Sequence, residues 1–161
     1  MRIFILIAVL IIGNFTAANA EKIDFNKIII DNIWIKETPP NHKVTSGYLT
    51  IKNLSDADET LLSVSSSFAE KGEIHHIKMD SEVMKMRPIT GGLFIPIGET
   101  VYLEPGGFHL MFMNLNMQII PKQAYRITLT FQNLGSVVVS ATVKSTHTGN
   151  YLSSERHNHW H

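Results

Sequence analysis

The chain has 161 residues, which is enough for one domain with a substantial hydrophobic core. Its formal net charge is zero, so the composition indicates no basic surface for nucleic acid or anionic lipid, and we expect neither as a partner. Cysteine is absent, which excludes disulfides and thiolate ligands and leaves packing or a bound ligand to stabilise the fold.

Residues 1–20 have the pattern of a secretory signal peptide. Arg2 provides one positive charge, an apolar run extends from Ile3 to Ile12, and a polar stretch ends at Ala18-Asn19-Ala20. The apolar run is shorter than the about 20 residues that a membrane-spanning helix needs. We therefore predict export, cleavage after Ala20 and no membrane span in the mature chain.

The segments that follow are predicted to form β-strands, because they are short, rich in β-branched and aromatic residues, and separated by Gly, Pro, Asn and Asp. In chain order they are NIWIKET, SGYLTIKNL, TLLSVSS, EIHHIKM, VMKMRPI, TVYLEPG, FHLMFMNL, AYRITLTFQNL and SVVVSATVK. The segment ITGGLFIPIGET is predicted to form two turns around a short apolar piece. No long stretch has a helical period, so residues 21–145 are predicted to form one all-β domain, an antiparallel β-sandwich of immunoglobulin or cupredoxin type.

The C-terminal segment, residues 146–161, is polar and has no such periodicity. We predict a flexible tail there. The tail contains four of the eight histidines of the chain, namely His147, His157, His159 and His161.

Methionine is concentrated in the middle of the chain, where all six residues other than Met1 lie between positions 79 and 117. In the strand FHLMFMNL, one face takes His109, Met111 and Met113. Methionine often fills gaps in a hydrophobic core, and this explains any one of these residues. It does not explain the set, because an unpaired imidazole is a poor neighbour in a core.

A predicted hairpin over EIHHIKMDSEVMKMRPI decides which other side chains share a face. A four-residue loop at 80–83 places His75 and Met86 on one face as diagonal neighbours, about 7–8 Å apart, whereas a three-residue loop at 80–82 puts His75 opposite Arg87. We predict the four-residue loop, with His76 on the other face. The resulting pairs are Met79 with Met84, Ile77 with Met86, and His75 with Pro88.

One shared metal ion is the smallest hypothesis that explains both segments. Its ligands would be His75, Met86, His109 and Met111. Two imidazoles and two thioethers suit Cu(I), whereas zinc sites use Cys, His and carboxylate and calcium or magnesium sites use oxygen. All four ligands are neutral, so we expect moderate affinity and exchange, which suits a carrier better than a store.

The segment from Glu73 to Leu115 closely resembles the periplasmic copper chaperones of the PCuAC family. That family is marked by His, ten residues, Met, about twenty-one or twenty-two residues, and then His-x-Met. Here ten residues separate His75 from Met86, twenty-two separate Met86 from His109, and Met111 completes the pattern. The short pieces MRP, GGL, IP and PGGFH also match, and the similarity extends over most of residues 30–143.

The resemblance implies a Greek-key, cupredoxin-like sandwich that carries Cu(I) in the bacterial periplasm and is not an enzyme. It implies delivery to a recipient, either the binuclear copper centre of cytochrome c oxidase, in subunit II, or another copper carrier. Family members often have histidine in C-terminal extensions, so a second site for Cu(II) at the tail histidines is also implied; the alternative is a solvated tail that binds no metal. We expect a monomer.

Other functions were compatible with a β-sandwich. A blue-copper electron carrier needs a Cys thiolate, which is absent. A copper oxidase or monooxygenase built on the mature N-terminus would want His there, and the predicted cleavage leaves Glu21. The remaining alternatives are a periplasmic copper-tolerance or buffering protein, and a metal-free interaction module whose methionine face contacts a partner. Buried methionines and a hydrogen-bonded His109 inside the core would favour the module.

Overall fold

The computed structural model describes residues 23–25, 27–80 and 83–145, which form eleven β-strands. The strands are β1 (Ile23–Phe25), β2 (Ile28–Lys36), β3 (Val44–Asn53), β4 (Glu59–Ser66), β5 (Ala69–Asp80), β6 (Val83–Pro88), β7 (Leu93–Ile95), β8 (Thr100–Leu103), β9 (Phe108–Leu115), β10 (Ala124–Phe131) and β11 (Ser136–Lys144). All nine predicted strands are present, and β9 and β11 have the predicted limits. The described part of the chain has no helix that is long and apolar enough to cross a membrane.

Two strands, β1 and β7, were not predicted. The strand β7 is the short apolar piece between two predicted turns, where Gly92 and Gly98 have φ angles of 95° and 77°. Such angles suit glycine because it has no Cβ. The predicted signal peptide, its cleavage site and the predicted tail, residues 146–161, lie outside the described residues.

One hydrogen-bonded sheet contains all the strands, in the order β6-β5-β9-β8-β3-β2-β11-β10-β4-β7, with β1 beside β2. The pairings are antiparallel, as predicted, except that β11 pairs with β2 and β8 with β9 in parallel. The sheet curls on itself. The ring of Phe68, which lies between β4 and β5, packs against rings from two strands that are far apart in the strand order. The centroid distances are 5.0 Å to Phe112 on β9 and 5.5 Å to Tyr125 on β10. The predicted all-β sandwich is confirmed.

The core lies inside this curl. Alternate residues of β3 and β10 point inward, as the two-residue period of a strand requires. The most deeply buried side chains include Ile30, Ile35, Ile51, Leu110, Phe112 and Leu129. The opposite face of β3, which takes Ser46 and Tyr48, remains half-buried and borders β9.

A close crossing of β4 and β5 fixes the strand that contains His75. A Cβ atom built on Gly72 would lie 2.4 Å from the carbonyl oxygen of Val64, so β5 can approach β4 only because residue 72 has no side chain. Phe68, in the turn between these strands, is buried and anchors the crossing.

The hairpin of β5 and β6 has the predicted register, with Ile77 opposite Met86 and Met79 opposite Met84. The prediction of a four-residue loop was wrong in length, because pairing continues to Asp80 opposite Val83 and only residues 81–82 connect the strands. Each added pair lets further backbone groups hydrogen-bond, and two-residue connections are the commonest in hairpins. Shortening the loop by two residues leaves the parity of the pairs unchanged.

Candidate metal centre

Strand β9 is the centre of the candidate site, because it pairs with β5 on one side and with β3 on the other. Directly across from β9, His75 lies opposite His109, and Glu73 lies opposite Met111. On the β3 side, Ser46 lies opposite Met111. Since directly paired residues share a face, these side chains project to the same side of the sheet.

The two histidines meet across this strand pair. The ring centroids of His75 and His109 are 5.7 Å apart, with 52° between the ring planes. Both residues are buried, and only 2% of His109 is exposed. The ring of Tyr48 borders that of His109, with 6.5 Å between the centroids, and Tyr48 in turn stacks on Trp34 at 4.3 Å. His109 therefore lies beside an aromatic wall of Tyr48 and Trp34, although it is on the outer face of the sheet.

Each ring is anchored through one nitrogen. The Nε2 atom of His75 lies 2.7 Å from Oε2 of Glu73, and Nδ1 of His109 lies 3.2 Å from the carbonyl oxygen of Gly107. A carboxylate and a carbonyl only accept hydrogen bonds. Each anchored nitrogen of a neutral ring must therefore have the proton, and the other nitrogen of each ring has a free lone pair.

These two lone-pair atoms, Nδ1 of His75 and Nε2 of His109, are both buried and have no hydrogen-bond partner among the described residues. Buried polar atoms in folded proteins nearly always have a partner, so two unsatisfied ones call for an explanation, such as a bound water or ion. Histidines that bind metals typically donate their second ring N–H to a carboxylate or a backbone carbonyl. Both arrangements occur here, so the pair is suited to binding a metal ion.

Burial keeps His109 ready for this role. Loss of contact with water lowers the pKa of His109, and the nearby rings of His75 and His76 lower it further, against the opposing effect of the Gly107 hydrogen bond. Hydrogen bonds from Lys71 and then His75 lower the pKa of Glu73. At neutral pH we therefore expect an uncharged His109 beside an ionised Glu73.

The two predicted thioether ligands lie on the same face but differ in exposure. Met111 is two residues from His109 on β9 and is half-buried. Met86 is opposite Ile77 on the edge strand β6, two pairs along the ladder from His75, and is 56% exposed. The proposed site therefore joins one solvent-exposed thioether to two buried imidazoles.

Among residues 23–25, 27–80 and 83–145, no cluster of three or more His, Cys, Asp and Glu side chains could hold a metal ion. The two imidazoles would thus need the thioethers to complete a four-ligand site. His76 stacks on Phe108 at 4.3 Å and lies on the other face, as predicted. The four tail histidines lie outside the described residues, so a site there remains a prediction.

Three supporting residues were missed in the sequence: Lys71, Glu73 and Gly107. Lys71 Nζ lies 2.6 Å from Oε1 of Glu73, so the lysine forms a salt bridge with the carboxylate that is hydrogen-bonded to His75. The two-residue period of a strand places Lys71, Glu73 and His75 on one face, and this signal was available from the sequence. The signal for Gly107 was not available, because its contact is made by the backbone carbonyl.

The β-sandwich has the cupredoxin-like fold of PCuAC domains. The chain belongs to the LpqE-like family, whose model, described as "Putative lipoprotein LpqE-like", matches residues 28–143. A relative from Leifsonia xyli subsp. xyli, "Putative lipoprotein Lxx21020", is 26% identical over 115 residues, which cover 71% of this chain and 68% of that protein.

Solved structures of PCuAC proteins share the fold. The copper-bound PCuAC domain from PmoF2 has a TM-score of 0.66 at 20% identity, covering 78% of this chain and 98% of that domain. Apo-DR1885 from Deinococcus radiodurans has a TM-score of 0.59 at 22% identity, covering 93% and 100%. Its Cu(I) form has a TM-score of 0.57 at 27% identity, covering 71% and 76%. The predicted resemblance to PCuAC proteins and the cupredoxin-like fold are confirmed.

Proposed function

We propose that this protein is a non-enzymatic copper carrier that binds one Cu(I) ion through His75, Met86, His109 and Met111. The observation that carries the proposal is the pair of buried ring nitrogens, Nδ1 of His75 and Nε2 of His109, with no partner among the described residues. A single ion between the two rings would satisfy both atoms. The thioethers of Met86 and Met111 would complete the site from the same face.

The ligand types favour Cu(I) over other ions. Neutral imidazole and thioether are borderline to soft donors, and Cu(I) binds both. Zinc sites use Cys, His and carboxylate rather than thioether, and Ca²⁺ and Mg²⁺ sites use oxygen. A thioether has no acidic proton, so it binds without the pH dependence of a thiol. The related structures support copper as the metal, since one is a copper-bound PCuAC domain and another is the Cu(I) form of DR1885.

The exposure of Met86 suggests how copper leaves. Met86 is on the edge strand β6 and more than half of it is open to solvent, whereas both imidazoles are buried. A ligand of a recipient protein can therefore replace Met86 first, without unfolding of the site. The histidines would release the ion afterwards, so that copper moves between the two proteins without entering solution.

The recipient that the PCuAC resemblance favours is the binuclear copper centre of cytochrome c oxidase, in subunit II, or another copper carrier. The predicted signal peptide and the lipoprotein descriptions of the family and of the relative support export to the cell envelope and work in the periplasm. Copper tolerance or buffering is the alternative role for the same site. Transfer of Cu(I) from the loaded protein to the copper-free soluble domain of subunit II, against no transfer, distinguishes delivery from buffering.

A competition titration with a chromophoric Cu(I) chelator tests the site. The chain from Glu21, the predicted mature form, is compared with its Met86→Leu and Met111→Leu variants, which retain much of the side-chain size and remove the thioether. Met117→Leu is the matched control, because Met117 is an exposed methionine beyond the end of β9. We expect one Cu(I) per chain, at least tenfold weaker binding in the two site variants, and parental binding in the control.

Two results would contradict the proposal. One is the absence of specific Cu(I) binding by the parent, which would leave a metal-free interaction module as the better reading. The other is equal affinity for the parent and all three variants, which would place any bound copper at other residues.

A further inference from the structure

We infer that Glu73 is a positioning residue of the copper site, which holds the ring proton of His75 on Nε2 and so presents Nδ1 to the metal ion. The inference rests on the proposed function, because it assigns a role within the same site. It adds a residue that is not a copper ligand and that lies outside the four-residue spacing.

The first step of the argument is the contact itself. Oε2 of Glu73 lies 2.7 Å from Nε2 of His75, a short distance for a charge-assisted hydrogen bond. An ionised carboxylate has no proton to donate, so the proton lies on Nε2. The lone pair is then on Nδ1, which is the buried atom without a partner among the described residues. Without Glu73, the ring could also hold its proton on Nδ1 and would then be unable to bind copper there.

The second step is the rigidity of the carboxylate. Both of its oxygens are engaged, because Oε1 is 2.6 Å from the ammonium group of Lys71 and Oε2 bonds His75. The three residues alternate along β5 and share a face. The exposed fraction of the side chains falls from 62% for Lys71 to 25% for Glu73 and 10% for His75. The network thus connects a solvent-facing cation to a buried ring, with Glu73 held from both ends.

The third step is the position of Glu73 relative to the other ligands. Glu73 lies directly opposite Met111 on β9, so its carboxylate is adjacent to two of the four proposed ligands. The ligands themselves are neutral, and a bound Cu(I) ion would add a positive charge to a largely buried site. A carboxylate that is hydrogen-bonded to a ligating imidazole would offset part of that charge.

The two histidines differ in how they are supported. His109 is held by the backbone carbonyl of Gly107, which no side-chain substitution removes. His75 depends on a side chain, so its support can be removed by one substitution. The role of Glu73 can therefore be tested without changing a ligand.

The test compares Glu73→Leu, which removes the acceptor, with Glu73→Gln, which removes the charge but retains an acceptor oxygen. The same two substitutions at Glu70 are the matched controls. Glu70 is exposed on the same strand, and its carboxylate accepts a hydrogen bond from Asn114 at 3.0 Å. Cu(I) affinity is measured by chelator competition. The protonated nitrogen of His75 is identified in the metal-free protein from the ¹⁵N chemical shifts of the ring and from the resonance of its N–H proton.

We expect Glu73→Leu to weaken Cu(I) binding by about 10- to 100-fold, the usual effect of losing a residue that supports a metal ligand. The protected Nε2–H resonance of His75 should be lost, and an Nδ1–H form should become detectable. Glu73→Gln should restore the resonance and most of the affinity, and both Glu70 variants should match the parent.

Three results would overturn the inference. They are parental Cu(I) affinity in Glu73→Leu, an unchanged proton on Nε2 in that variant, and a Glu73→Gln variant as weak as Glu73→Leu, which would mean that charge alone acts. The ring measurement uses the metal-free protein. Failure of the parent to bind Cu(I) would therefore reject the copper-carrier proposal separately, while the ring measurement still decides whether Glu73 fixes the proton.

Discussion

The imidazole rings of His75 and His109 face each other across β5 and β9, with their centroids 5.7 Å apart, and each leaves one buried nitrogen unpaired among the described residues. A buried polar atom without a partner costs about 1–3 kcal/mol of stability. The metal-free protein thus contains two such atoms on neighbouring rings. A bound ion would relieve both, so ligand binding and stability are coupled at this pair.

Replacing His109 should therefore separate copper binding from the stability of the metal-free protein. In His109→Leu we expect Cu(I) binding to be lost, while the free energy of unfolding of the metal-free protein stays the same or rises by about 1 kcal/mol. The Gly107 carbonyl retains a partner in this variant, because it also accepts from the backbone N–H of Ile77 at 3.3 Å. Urea unfolding of the metal-free proteins measures the change.

His76→Leu is the control for this prediction, because His76 stacks on Phe108 on the other face of β5. It should retain parental Cu(I) affinity. Destabilisation of His109→Leu by more than about 2 kcal/mol would show that the imidazole stabilises the core. The unpaired nitrogen would then not reduce the stability of the metal-free protein, and the prediction would be wrong.

The metal-free protein should also lose stability in mild acid through His109. Burial lowers the pKa of His109 in the folded state. Below the ordinary histidine pKa of about 6.5, the unfolded chain takes up a proton that folded His109 does not, so unfolding is favoured as the pH falls. Above that pH both states are neutral, and His109 makes no pH-dependent contribution.

The measurement is the difference in unfolding free energy between the parent and His109→Leu at several pH values. The difference should be constant above about pH 7.5. Between about pH 6.5 and 5.5 the parent should lose stability relative to His109→Leu. Parallel curves for the two proteins across this range would show that folded His109 titrates like a histidine in the unfolded chain.

The parts of the site that depend on local pattern could be predicted from the sequence. The limits of β9 follow from its alternation between Pro-Gly-Gly and Asn, and the register of β5 and β6 follows from the requirement that His75 and Met86 share a face. The loop length was wrong because parity alone does not distinguish loops that differ by two residues.

The parts that depend on distant contacts could not be predicted. The parallel pairing of β2 with β11 joins residues that are about a hundred positions apart, and nothing local to either strand specifies it. The burial of His109 is another such case, because it needs Tyr48 and Trp34 on strands that precede it by more than sixty residues. Nothing local to β9 therefore indicates how deeply His109 is buried.

The crossing of β4 and β5 should depend on Gly72. In Gly72→Ala, the new Cβ would lie 2.4 Å from the carbonyl oxygen of Val64, a distance that the backbone must move to relieve. We expect a loss of at least about 2 kcal/mol in unfolding free energy, in the range of overpacked cores. Because β5 also presents Glu73 and His75, Cu(I) affinity should fall with stability.

Gly107→Ala is the matched control, because the nearest atom to its Cβ would be the Glu104 carbonyl oxygen at 3.7 Å, an ordinary contact. The control should unfold close to the parental midpoint in urea. Equal midpoints for Gly72→Ala and the parent would mean that β4 and β5 can separate at no cost, and the close crossing would then not fix the position of β5.

The histidine tail should contribute to the binding of Cu(II) but not of Cu(I). Deleting residues 147–161 should leave Cu(I) affinity unchanged, because His75, Met86, His109 and Met111 all lie in the strands. Cu(II) affinity should fall, since several imidazoles together suit Cu(II). Replacing only His147, His157, His159 and His161 by Ala is the matched variant, because it retains the length of the tail. It should reproduce the effect of the deletion.

Titration calorimetry with Cu(II) at pH 7.4 measures the effect. Parental Cu(II) affinity in both variants would show that the tail histidines bind no metal, and weaker binding in the deletion alone would assign the Cu(II) ligands to other tail residues.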